Sequence, residues 1–299
     1  MFEGIARSWR LYKICWTVLF HDKELLLFPL LSTLSLGLTI ASVFGSGTLL
    51  RVANLAEQGG LLPADYLVMG VFYFLNYFII VYFNAAIIGA ARIRFHGGDP
   101  TLKDGFNTAN RHFWSIAGWA LISAVVSLVF YALDKFARGQ AGEGRGGLAI
   151  LLIILSSIAQ VAWSVITYLV IPVLVVEGLS PIEAIKRSAR MVRGTWGEQL
   201  VSRFGFDLMI LIFAIPIVIV AVLLAVALPP PVGLIAALVF GVITFGLLLL
   251  VTSAMRAIYV AALYEYASTG QVPQLFPQEV VANSWEPRPE RGASRGFGI

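Results

Sequence analysis

The chain has 299 residues, is 59% hydrophobic and only 13% charged, and carries a formal net charge of +4. Its mean hydropathy is +0.84. Soluble domains carry about 25% charged residues, so an ordinary soluble domain is excluded, and the small basic excess points to membrane topology rather than to nucleic acid.

Residues 3–20 read as an amphipathic helix lying on a membrane surface, with Trp9, Tyr12 and Trp16 suited to the headgroup layer and Arg7, Arg10 and Lys13 to anionic lipid. Charged residues are interleaved with its apolar ones, which is not the pattern of a cleavable signal peptide. After His21-Asp22-Lys23-Glu24 comes a first apolar run, Leu25–Leu50, with Pro29 in its opening turns. A second run, Leu67–Ala91, holds Asn76 and Asn84 on one helical face. Asp99-Pro100-Thr101 starts a second, more polar surface helix, followed by runs Phe113–Leu133 and Gly147–Val176. Ser180-Pro181-Ile182-Glu183 is a capping box with proline at the first helical position. The helix it opens has Ile182, Ile185, Ala189 and Val192 on one face and Lys186, Arg190 and Arg193 on the other. The last two runs are Leu208–Leu228 and Val232–Met255, joined by Pro229-Pro230-Pro231. None of the six contains Asp, Glu, Lys or Arg. Each is long enough to span a bilayer, and in lipid each must be helical to satisfy its own backbone.

A short pattern occurs three times: an acid, a small residue, Ile or Phe, two residues, Ser or Ala, one residue, Arg. The copies are Glu3 to Arg10, Asp104 to Arg111 and Glu183 to Arg190. Each precedes two spans. The predicted fold is therefore an all-α integral membrane domain over residues 1–270, built as three parallel repeats (1–98, 99–178 and 179–270) of one interfacial helix and two spans. Gly98, Gly178 and Gly270 are expected to end spans two, four and six. Residues 271–299, rich in Pro, Gly, Arg and Glu, read as a disordered tail. Of the 21 Lys and Arg, 17 fall on the side of the termini and surface helices. Only Arg51, Lys135, Arg138 and Arg145 fall opposite, so the positive-inside rule puts both termini in the cytoplasm.

Several groups are candidates for function. Glu3, Arg7, Arg10, Asp104, Arg111, Glu183, Arg187 and Arg190 form a basic set at the interface, able to contact lipid or a partner protein. Acid and arginine lie two turns apart, about 10 Å, too far for a bond within one copy. The acid either pairs with an arginine of the next copy, closing a collar, or favours its own helix N-terminus while the arginine meets lipid phosphate. Asn76, Asn84 and Gln160 mark a possible polar path between spans, or interhelical hydrogen bonds. Gly37, Ala41 and Gly45, and Gly233, Ala237 and Gly241, are small-residue stripes suited to close packing. Pro172 and Pro216 are expected to kink spans four and five. No catalytic motif or metal-ligand spacing is visible, and no cofactor is expected.

Ile171-Pro172-Val173-Leu174-Val175-Val176-Glu177-Gly178, followed by Ser180 to Ser188, resembles a group of prokaryotic membrane proteins. Its relatives include the membrane domain attached to some glycerophosphoryl diester phosphodiesterases and the YciC-like proteins. The resemblance implies six spans in the cytoplasmic membrane of a bacterium or archaeon. It brings no phosphodiesterase activity, because the acidic metal-binding residues of that enzyme have no counterpart here. The expected function is a non-enzymatic module engaging anionic lipid or a partner protein through the three surface helices. The alternative is a transporter or channel for a small neutral or amphipathic solute.

Overall fold

The computed structural model describes residues 2–47, 51, 54, 62–142, 146–194, 196–271 and 273. They are helical apart from short connections, and no strand occurs among them. In chain order the helices are α1 (Phe2–His21), a 3-10 turn (Lys23–Leu26), α2 (Leu27–Gly45), α3 (Pro63–Phe95), α4 (Leu102–Arg111) and α5 (Phe113–Gly142). They continue as α6 (Gly146–Ile166), α7 (Val170–Glu177), α8 (Pro181–Gly194), α9 (Trp196–Ala227) and α10 (Val232–Thr269). Six segments are long and apolar enough to cross a bilayer: Lys23–Gly45, Leu67–Phe95, Phe113–Gln140, Gly146–Glu177, Phe206–Ala227 and Val232–Thr269. The protein is a multi-pass membrane protein. The expected tail lies, apart from Gln271 and Pro273, outside the described residues.

Two helices outrun their apolar sequence. α5 continues through Asp134, Lys135 and Arg138, and α10 continues through Arg256 and Glu265. A helix ladder needs no apolar side chains once it is packed or wet, so a charged residue ends the apolar run without ending the helix. Proline sits near two starts: Pro29 is the third residue of α2, and Pro63 opens α3, where Asp65 Oδ2 accepts the Leu62 amide at 2.9 Å. Gly178 and Gly270 end their helices in the left-handed conformation, with φ of +66° and +71°. At the end of α3 that conformation belongs to Gly97 (φ +79°), not to Gly98. Gly98 answers a different need, since a Cβ there would lie 2.7 Å from the Ile93 side chain.

The fourth span is broken at residues 167–169, between α6 and α7. The ring of Pro172 cannot continue a regular helix through Tyr168. The break leaves backbone groups that lipid cannot satisfy. Ser188 of α8 takes up two of them: its hydroxyl donates to the Ile166 carbonyl at 2.6 Å and accepts the Leu169 amide at 3.1 Å. Pro216, by contrast, sits inside an α9 that continues past it.

The buried core concentrates at the end of the bundle that carries α1, α4 and α8, here termed the basic end. It is built from Ala85–Ala91 of α3, Leu169–Val175 around α7 and Ala254–Tyr264 of α10. The long apolar side chains that remain exposed along α2, α6, α9 and α10 face outward, where lipid replaces protein as the neighbour. α4 packs on α3, α8 on α6 and α7, and α1 on α9 and α10. Small residues allow these dockings. Gly105 and Ala109 of α4 are buried, and a Cβ on Gly105 would collide with the Phe28 ring and lie 2.8 Å from the Ala86 carbonyl oxygen. Ala184 and Ser188 of α8 are completely buried at the equivalent positions of the repeated pattern. The stripes picked out within the spans behave differently. Gly233 abuts carbonyls of α9, but Gly37, Gly45 and Gly241 have open space where a Cβ would project.

Ser188→Ala should destabilise the protein by about 1–3 kcal/mol, the penalty for stranding buried backbone groups. Thermal unfolding in detergent checks this, with Ala109→Ser, at the matching position of α4, as the control expected to fall less.

Candidate functional site

The repeated pattern separates into parts with distinct jobs. In α4 and α8 its acid caps its own helix. Asp104 accepts the Thr101 hydroxyl at 2.6 Å and the Thr101 amide at 3.0 Å. Glu183 accepts the Ser180 hydroxyl at 2.7 Å and the Ser180 amide at 3.2 Å. These bonds, the hydroxyl first and the amide second, hold both carboxyls below their ordinary values. The small residues dock the helix, as above, and the arginines face outward or toward neighbours. Arg111 is exposed, and Arg190 is exposed with its Nε donating to the Lys186 carbonyl at 3.4 Å. Arg187 turns to the span before it, its Nε bonded at 3.1 Å to both carboxylate oxygens of Glu177. The side chains of Glu3, Arg7 and Arg10 lie outside the described residues.

Ion pairs then join the last turns of the spans. Arg92 of α3 pairs with Glu265 of α10 at 3.1 Å, and His96 Nε2 lies 3.4 Å from the same carboxylate. Tyr264 of α10 donates its hydroxyl to Glu177 at 3.1 Å. Arg94 binds Asp22, at the joint between α1 and α2, and Asp99 at 2.7 Å. Glu24 accepts the Leu102 amide at 3.1 Å and so adds a negative charge at the N-terminus of α4. Of these pairs only Arg94 and Asp99 are near in sequence.

Against this network lies a cleft of about 470 Å³, lined by α3, α4 and α7. Arg92 and His96 enter from α3, Arg111 and His112 from the end of α4, and Val175 and Val176 form an apolar wall. The two imidazoles are oriented alike. His96 Nδ1 is 2.8 Å from the Arg92 carbonyl and His112 Nδ1 is 3.0 Å from the Thr108 carbonyl. A carbonyl only accepts, so each Nδ1 carries a proton; His96 Nε2 faces Glu265, and His112 Nε2 is left for another partner. Two guanidinium groups can hold a phosphate-like anion, an imidazole adds a donor only when its Nε2 also carries a proton, and the valines can take an apolar neighbour of the anion. No group of three or more potential metal ligands occurs among the described residues.

The residues expected to form an intramembrane path are not brought together. Asn76 donates to the Phe72 carbonyl at 2.7 Å and Asn84 to the Ile80 carbonyl at 2.9 Å, both within α3. Gln160 instead joins Ser156 at 3.0 Å and Asp134, whose Oδ1 accepts the Ser156 hydroxyl at 2.6 Å. Asp134 was missed because the apolar run stops one residue before it, which placed it in a loop.

The six spans define an integral membrane protein. The chain belongs to a family of unknown function, DUF6159, whose model matches residues 63–274. The match starts at α3 and leaves out α1 and α2. No curated protein and no solved structure matches the chain.

The depressed carboxyls set a pH dependence. A carboxyl whose folded-state pKa lies below its ordinary value adds stability above that ordinary value and loses it as pH falls through the lower one. Amide exchange at the first turns of α4 and α8, corrected for intrinsic rate, should be flat from pH 6 to 8 and rise below about pH 4. Glu183→Ala should abolish the step in α8 and leave it in α4.

Proposed function

We propose that this protein is a non-enzymatic module of the prokaryotic cytoplasmic membrane, with both termini inside, that engages anionic phospholipid through its basic end. The observation that carries this is the convergence of Arg92, Arg111, His96 and His112 on one cleft beside two valines. A headgroup phosphate meets the two guanidinium groups while the start of its acyl region meets the valines. The excess of basic residues on this side supports its cytoplasmic placement. The likeness of residues 171–188 to the prokaryotic membrane proteins named above supports the same setting.

A second feature supports lipid as the partner. Trp9, Tyr12 and Trp16 of α1 line an apolar groove of about 680 Å³ against Phe213, Pro216 and Leu247. Lys13 stands over the Trp9 ring at 5.8 Å, a pairing suited to the headgroup layer.

The packing order supports a threefold repeat. α4 lies on the second span of the first pair, α8 on the second span of the second pair, and α1 on the third pair. Each surface helix thus docks on the pair before it in a cycle, and α1 closes the ring. The transporter alternative is weaker for the residues first suspected, because Asn76 and Asn84 spend their amides within α3.

Native mass spectrometry of the full chain, with phosphatidylglycerol and phosphatidylcholine in competition, tests the reading. Phosphatidylglycerol should be retained preferentially. Arg111→Gln should weaken that preference about tenfold or more, the value of one charge-assisted hydrogen bond, without changing thermal stability. Equal retention of the two lipids, or an unchanged preference in Arg111→Gln, would count against it.

A further inference from the structure

A separate pocket of about 480 Å³ lies within the spans and draws side chains from α3, α5, α6, α9 and α10. Its lining is unusually polar for a pocket between apolar helices. Ser123 and Ser127 come from α5, Tyr77 from α3, Ser164 and Thr167 from the end of α6, and Arg256 from α10. Trp119 and Trp163 complete it as a stacked pair, with centroids 6.1 Å apart and ring planes 26° from parallel. Hydroxyls in a span usually turn back onto their own helix, and Ser164 and Thr167 do so at 2.8 and 2.7 Å. Tyr77 and Ser127 bond each other across two helices at 2.5 Å, which holds a polar surface open between them.

Two further observations mark the pocket as a binding site. Arg256 of α10 pairs with Asp207, the second residue of its candidate span, at 2.6 Å, and both side chains stay partly exposed where the spans begin and end. That pair engages one of the five guanidinium donors, and Arg256 lines the pocket. The broken backbone of the fourth span also borders it, through Thr167 and Tyr168. Irregular backbone at membrane depth is tolerated where it is buried in protein or lines a cavity, and discontinuous helices are where membrane proteins place small-molecule sites.

We infer that this pocket binds a small planar amphipath, an aromatic ring system bearing a hydroxyl or carboxylate. The indole pair offers flat faces for the ring, and the Arg256 guanidinium offers donors for the oxygen. A purely aliphatic chain would make no use of the guanidinium, and a sugar would make no use of the flat indole faces. The inference does not depend on the anionic-lipid reading, since the two cavities share no lining residue.

The test is equilibrium binding of 1-naphthol and 1-naphthoate to the full chain in phosphatidylcholine nanodiscs, with empty nanodiscs correcting for partition. Saturable binding at one site per chain is expected. Trp163→Ala should weaken both ligands at least tenfold, and Arg256→Gln should weaken 1-naphthoate more than 1-naphthol. Trp163→Ala also removes packing, so Ser123→Leu, which fills the pocket from one wall, serves as the second variant and should abolish binding while the protein still unfolds cooperatively. Uptake no greater than in empty nanodiscs would overturn the proposal, as would unchanged affinity in Ser123→Leu. A phospholipid tail resident in the pocket would show as the first of these results.

Discussion

The structure depends on how closely three short basic helices approach the spans they lie on. A helix bearing large side chains would stand off the bundle at an ordinary packing distance. Gly105 lets the α4 backbone meet the Phe28 ring and the Ala86 carbonyl, and Ala184 and Ser188 do the same work for α8. A Cβ at Gly105 forces a shift worth about 1–3 kcal/mol, the usual penalty of overpacking. Because the approach is close, Ser188 reaches the broken backbone of the fourth span, and the C-terminal end of α4 is fixed where Arg111 and His112 face the cleft.

The electrostatics follow from that placement. Docking brings span ends together at the basic end, so charges distant in sequence become neighbours. Arg92 and Glu265 are 173 residues apart, and Tyr264 reaches Glu177 across 87. These groups are only partly exposed, which makes each pair worth more than a fully solvated one and makes the loss of one partner harmful. The network also leaves spare donors on Arg92 and the whole of Arg111 directed to the cleft. The cleft proposed to take an anion is thus assembled from groups whose other bonds hold the fold together.

Much of this was legible in the sequence, and the limits are physical. Uninterrupted apolar runs marked the spans, because lipid requires about 20 such residues for a crossing. Ser180-Pro181-Ile182-Glu183 announced a capping box because capping is a contact over three residues. The repeated pattern was visible as well, but the purpose of its small positions was not. Gly105 is small because of Phe28 and Ala86, and nothing within α4 names those neighbours. Asp134, Arg256 and Glu265 were passed over for a related reason: Asp134 and Arg256 lie just beyond an apolar run and Glu265 further along the same helix as Arg256, and charge was taken to end the span when the helix in fact continued. Asn76 and Asn84 drew attention by sharing a face, yet local carbonyls satisfy them, whereas the pocket formed from hydroxyls and indoles on five helices has no local signature.

The claim on which the account rests is that α4 and α8 are docked parts of the bundle rather than free helices floating on lipid. A cryo-electron microscopy structure in nanodiscs containing phosphatidylglycerol tests it most directly. The account predicts Gly105 against Phe28 and Ala86, and the Ser188 hydroxyl between the Ile166 carbonyl and the Leu169 amide. Surface helices lifted from the spans, with Gly105 and Ser188 facing headgroups or solvent, would contradict it.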